Sequence, residues 1–213
     1  MYFCILIEKD VLRFTYNVYN MLVGFEANNV FRNGEELGEW SRNLVEKLAS
    51  RHVLDFRALL FATRMKEEYK TYYSSCANVS TFLPTGSMKL MPSMWLRYRL
   101  AEWLKFEKVK VFHGLNEELP YGLEGMVKTV VTCFGVESHH KTSLADSIAW
   151  KRRMLYAWTS SDVIVAVSDE VKGQLMAQGV DERKIVVIGT GNPYEMTDAM
   201  AEQYYEVYDK LSR

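Results

Sequence analysis

Short apolar runs alternate with segments of helical period along most of this chain, and that alternation limits the fold more than any single residue does. "MLVGFEA" is one such run, closed by Asn28 and Asn29, and behind it Leu37, Trp40, Leu44, Val45 and Leu48 recur at helical spacing. The same two periods follow each other down the sequence. Strands are predicted at "DFRALLFA", "VSTFLPT", "KVKVFHG", "TVVTCFG", "DVIVAVS" and "KIVVIGTG". Helices are predicted at "MKEEYKTYYSSC", "MPSMWLRYRLAEWLKFE", "SLADSIAWKRRMLYAWTSS" and "DEVKGQLMAQGV". Strands that are apolar almost throughout must be covered on both sides, so the expectation is an α/β, doubly wound parallel sheet with helices on both faces. There is no internal repeat and no low-complexity linker, and 213 residues fit one large domain.

The two ends read differently from the middle. "MYFCILIEKD" opens on an apolar run, but it has no basic stretch ahead of it and no small-residue cleavage site, and it is far shorter than the roughly 20 apolar residues of a membrane span. Residues 1–20 are therefore expected to be an N-terminal extension, with the domain beginning at Met21. At the other end "TDAMAEQYYEVYDKLSR" carries Met200, Tyr204, Val207 and Leu211 along one helical stripe, which needs a surface to pack on.

Charge and cysteine usage exclude several functions. With 26 Lys+Arg against 27 Asp+Glu the net charge is −1, which gives no electrostatic reason for nucleic acid to be a partner. Cys4, Cys76 and Cys133 are odd in number and widely spaced, so neither a disulfide framework nor a zinc site is indicated, and a cytoplasmic setting fits. No transmembrane segment is read and no basic amphipathic anchor stands out; attachment at the inner membrane face is left open.

In parallel sheets ligands bind beyond the carboxyl ends of the strands, which directs attention to five loops. Gly34 and Gly38 open the first helix, yet "NGEELGEW" lacks the Gly-x-Gly-x-x-Gly of a dinucleotide turn, and Glu35, Glu36 and Glu39 would repel a phosphate. His113 follows a strand and precedes Gly114, where an imidazole could meet a substrate hydroxyl or order the loop. His139 and His140 are adjacent and diverge, so they do not form a metal pair, and no metal is expected. Lys151, Arg152 and Arg153 fan around a helix as a solvated face. Ser168 stands where a helix N-cap would, and Gly189, Gly191, Asn192 and Pro193 form a loop.

Taken together, "FHGLNEELPYGL", "KTVVTCFGVES" and "KRRMLYAWTSSDVIVAVSDEVKGQLMAQGVDERKIVVIGTGNP" resemble the N-terminal domain of glycosyltransferase family 4 enzymes of the GT-B fold, over residues 21–193. The resemblance implies a Rossmann-like, acceptor-binding half of a two-domain sugar transferase. It also implies that residues 194–213 form the family's returning helix, packed back on the first domain. The chain reaches "GNP" and stops within twenty residues, so the nucleotide-sugar donor domain is expected to be missing and the isolated chain inactive. A glycan or a lipid-linked acceptor is the implied ligand. A nucleotide sugar would bind only with a donor-domain protein or a full-length glycosyltransferase as partner, and no other cofactor is implied. Gly38, His113, Gly114 and Asn116 are the ligand-contact candidates. The family's Ile-His-Asp stretch falls on Cys133, Phe134 and Gly135, so its catalytic histidine position is replaced by Phe134, which neither moves a proton nor hydrogen-bonds a sugar. The alternative implied is a non-catalytic pseudoenzyme or interaction module derived from such a transferase.

Overall fold

The computed structural model describes residues 20–31, 35–115, 117–136 and 144–213. Among the described residues seven strands form one sheet: β1 (Met21–Glu26), β2 (Phe56–Phe61), β3 (Val79–Phe82), β4 (Val111–Gly114), β5 (Lys128–Cys133), β6 (Val163–Ala166) and β7 (Ile185–Val187). Their order across the sheet is β3-β2-β1-β4-β5-β6-β7, and every pairing is parallel. The interior strands β1 and β2 are buried at every position, as their unbroken apolar runs require. Residues 1–19, all but the last residue of the expected 1–20 extension and with them Cys4, lie outside the described residues, as do Gly34, Asn116, His139 and His140.

Period two along the strands sorts the core into two sides. Met21, Val23 and Phe25 of β1 and Phe56, Ala58 and Leu60 of β2 pack with Trp40, Leu44, Val45 and Leu48 of α1 (Glu36–Arg51). Leu22, Leu59, Phe61 and Phe112 point the other way, onto Trp95, Leu96, Leu100 and Leu104. Farther along, Cys133, Ile164 and Ala166 meet Met154 and Trp158 of α4 (Leu144–Ser160), together with Val171 and Leu175 of α5 (Asp169–Ala177). The short helix α2 (Glu67–Ser74) buries Tyr73 beside β3. The Ser168 hydroxyl accepts from the Val171 N–H at 3.2 Å, so it caps α5 as its position predicts.

One predicted helix differs in its winding. Where "MPSMWLRYRLAEWLKFE" predicts a single regular helix, there is a short α turn at Pro92–Met94, a π-helical stretch at Trp95–Arg99, and then α3 (Leu100–Phe106). The cause lies in the core: Trp95 and Leu100 are five residues apart, which an α-helix would turn to different sides. The i to i+5 pattern of a π turn sets them over the same sheet face.

The C-terminal helix α6 (Asp198–Ser212) packs back on the sheet beside α1. The chain's crossovers to the right of β1 fall on the opposite side, so this face would otherwise stay bare over β4 and β5. Thr197 caps the helix by accepting from the Met200 N–H at 3.2 Å. Met200, Ala201, Tyr204, Val207 and Tyr208 are buried, each fully enclosed large side chain contributing on the order of 1.5–3 kcal/mol. On the rim Asp198 pairs with Lys47 and Arg51, Glu202 pairs with Arg51 and His52, and the His52 ring stacks on Tyr205 with centroids 3.7 Å apart. Exposed pairs of this kind add little individually.

Candidate functional site

The strand order reverses direction between β1 and β4, the place where open parallel sheets gather ligands. At the carboxyl end of β1, Glu26 is buried and accepts the Asn28 N–H at 3.1 Å. Asn28 Oδ1 in turn accepts both the N–H and the hydroxyl of Thr63, each at 2.8 Å, from the loop that leaves β2. Ser93, Leu96 and Arg97 approach from the helical segment before α3, and Glu118, Leu119 and Pro120 from the loop after β4. Together these residues enclose a cleft of about 100 Å³. Its chemistry is that of one apolar wall facing carboxylates, an amide and hydroxyls.

Glu118 organises that wall. Arg153 Nε donates to its Oε1 at 2.8 Å, and Arg97 stands 3.9 Å from its Oε2. The basic run of α4 is thus only partly the solvated face its sequence predicts: Lys151 and Arg152 are exposed, but Arg153 is half-buried against Glu118. Both arginines spend their charge on Glu118, and Glu26 adds a second carboxylate, so the cleft is a poor fit for a bare phosphate.

The ligand-contact candidates fare differently. His113 belongs to β4, not to a loop, and its ring has no exposed surface. Period two turns it toward α6, where Nδ1 lies 2.7 Å from the Tyr208 hydroxyl and Nε2 2.8 Å from Thr132 Oγ1. Thr132 Oγ1 also sits 3.0 Å from the Tyr204 hydroxyl. Burial pushes the imidazole down to about 3, so it is neutral, with one nitrogen donating and the other accepting. His113 therefore braces the helix to the sheet and does not line the cleft. Gly114 is required by close approach: a Cβ there would stand 2.2 Å from the Glu118 carbonyl oxygen, where the loop doubles back. Gly38 is buried in the first turn of α1 and lines no described cleft, and Asn116 falls outside the described residues.

Phe134 is held edge-on by Trp40 at 4.9 Å and stacked on Tyr194 at 5.7 Å. It lines a second cleft, of about 460 Å³, at the carboxyl ends of β5 and β6, with Ser168, Glu170, Gln174, Gly191 and Pro193. Behind Phe134 lies a residue the sequence reading passes over. Glu117 is buried in a left-handed conformation, φ 63°, and its Oε1 accepts the Phe134 N–H at 2.7 Å and the Gly135 N–H at 3.4 Å. Burial raises the carboxyl to about 7 against the lowering pull of those donors. The thiol of Cys133 beside it is raised by burial and by the Glu117 charge, so it is no nucleophile. Two adjacent glutamates in a loop between buried strands were the only trace of this arrangement in the sequence. Among the described residues no group of three or more His, Cys, Asp or Glu comes together as a metal site, and Cys76 and Cys133 are free thiols.

A fully parallel sheet of this order, with its crevice at the β1/β4 reversal and a helix closing the face left of the later crossovers, is a Rossmann-like α/β domain of the kind that forms one half of a GT-B protein. The sequence pattern of Glycosyltransferase Family 4 matches residues 39–193, and the chain belongs to that family. No curated protein sequence matches it. Among solved structures it is similar to MnaA of S. aureus determined with UDP, at 13% identity and TM-score 0.50, covering 84% of this chain and 47% of that one. A glycosyltransferase from Rickettsia africae shares 18% identity at TM-score 0.47, with 90% and 50% covered. A UDP-N-acetylglucosamine 2-epimerase from Rickettsia bellii shares 11% at TM-score 0.49, with 92% and 51% covered. The chain spans about half the length of the solved structures it matches.

Proposed function

We propose that this chain is the acceptor-binding half of a family 4 sugar transferase, holding a glycan or a lipid-linked sugar in the β1/β4 cleft while the nucleotide-sugar donor is held by groups outside these 213 residues. The carrying observation is the chemistry of the cleft. Asn28, Thr63 and Ser93 offer amide and hydroxyl groups, Glu26 and Glu118 offer carboxylate acceptors, and Leu96, Leu119 and Pro120 offer an apolar wall. A sugar ring has a rim of hydroxyls and a face of C–H groups, and it meets both. Asn116, in the loop leaving Gly114, remains within the proposal as a further acceptor contact. Sugar transfer also needs positioned donors for the charge that develops on the leaving phosphate, and Arg97 and Arg153 are already engaged by Glu118. On this reading the chain alone is inactive, and a donor-domain protein or a full-length transferase completes it.

A second reading, a non-catalytic interaction module, has its own support. At the position where the family resemblance puts a histidine, Phe134 is packed between Trp40 and Tyr194 and has no proton to give. Calorimetric titration of the chain with oligosaccharides, nucleotides and nucleotide sugars separates the two. Acceptor binding predicts heat with a glycan and none with nucleotides, and a loss of affinity of about tenfold on Ser93→Ala, an exposed residue whose removal leaves the fold intact. Heat with nucleotide sugar alone would overturn the assignment to the acceptor side, and no heat with any sugar would leave the interaction module.

A further inference from the structure

We propose that the surface from Lys89 to Lys110 docks on an anionic lipid bilayer. The helical segment has already buried what the core needs, through Trp95, Leu96, Leu100 and Leu104. An ordinary surface helix would be polar on its other side. Here that side keeps Leu90 (87% exposed), Met91, Met94 and Tyr98 in water, with Trp103 and Phe106 one to two turns farther on. Six of the fourteen strongly exposed large apolar side chains among the described residues thus fall within seventeen positions.

Charge selects the occupant. Between residues 86 and 110 stand Lys89, Arg97, Arg99, Lys105, Lys108 and Lys110 against Glu102 and Glu107, a net +4 in a chain whose total is −1. Arg97 and Arg99 pair with Glu118 and Glu102, whereas Lys89, Lys105, Lys108 and Lys110 are in no ion pair among the described residues. Flexible apolar tips, two amphipathic aromatics and lysines within one exposed segment match the boundary between headgroups and acyl chains of a negatively charged membrane. Nucleic acid would use the lysines but leave Leu90, Met91 and Met94 in water. In sequence the aromatic and apolar residues of this helix all look like core, which hides the surface. Ser93 and Arg97 of the same segment line the β1/β4 cleft, so docking sets the mouth of the cleft at the bilayer. Docking itself does not depend on what the cleft binds.

The test is flotation of the whole chain with vesicles of pure phosphatidylcholine and of equimolar phosphatidylglycerol and phosphatidylcholine, at low and high salt. Binding to the anionic vesicles, weakened by salt and absent on neutral ones, is expected. Leu90→Ser with Met94→Ser should reduce partitioning roughly tenfold or more, and Lys89→Glu with Lys105→Glu likewise, at an unchanged thermal midpoint. Equal binding to both vesicle types, no binding to either, or full binding by both variants would overturn the proposal. So would a lipid-free dimer, seen by sedimentation velocity, that the Leu90/Met94 variant dissolves, since the face would then join two copies of the chain.

Discussion

Replacing Tyr208 with phenylalanine removes one oxygen atom from the centre of the molecule and nothing from its shape. That oxygen stands 2.7 Å from His113 Nδ1, and both side chains are fully enclosed. The ring nitrogen left behind has no route to water, so the loss is the desolvation of an unsatisfied buried group, about 1–3 kcal/mol. For a domain of this length each kcal/mol moves the thermal midpoint by about 2–4 °C, which puts the expected drop at about 2–12 °C. Urea denaturation read by tryptophan fluorescence measures it, with Tyr205→Phe as the control. Tyr205 stacks on His52 at the rim, and its variant should stay within about 0.5 kcal/mol of the parent. Thr132 holds the other nitrogen of the same ring at 2.8 Å, so Tyr208→Phe and Thr132→Val should be non-additive by about 0.5–3 kcal/mol. If Tyr208→Phe is as neutral as Tyr205→Phe, the polar network does not brace the helix, and the argument for His113 as a structural residue fails.

Two further outcomes follow from buried groups near the clefts. Glu117 rises from 4.5 to about 7 in the fold, so between those values the folded state holds a proton that the unfolded chain releases. Its contribution is complete below pH 4.5 and is lost as the pH rises through 7; Glu117→Gln, which still offers an oxygen to the Phe134 and Gly135 amides, should stabilise the protein at pH 8 relative to pH 4.5. Midpoints of both proteins across that range check this, and parallel curves would refute it. Gly114→Ala places a methyl group 2.2 Å from the Glu118 carbonyl oxygen and should cost about 1–3 kcal/mol in a urea titration as the loop gives way; an unchanged midpoint would mean the loop yields freely.

The sheet was legible because its strands are buried on both sides, and such strands write their boundaries as unbroken apolar runs. α6 was legible from its stripe, although Tyr208, its most important polar contact, was hidden by a side chain equally at home on a surface. His113 was misplaced by one structural step: a polar residue near a strand's end reads as the start of a loop, and only the partner 95 residues later shows that it points inward. The cleft was legible as a place, beyond the carboxyl ends of the strands, but its lining was not. Asn28, Thr63, Arg97 and Glu118 come from four separate segments, and no spacing along the chain announces that the β1/β4 reversal brings them together. The π turn escaped for a related reason, since apolar spacing reports which residues are buried but not how the backbone hydrogen bonds adjust to bury them.

The position of α6 also sets an order of events during synthesis. Its partners on α1 and β4 are made long before it: Lys47 meets Asp198 across 151 residues, and His113 waits for Tyr208. Until residues 198–212 have left the ribosome, the sheet face over β4 and β5, beyond the cover of α1, lies open and His113 is still wet. That part of the sheet therefore stays exposed through most of synthesis and is covered only when α6 arrives.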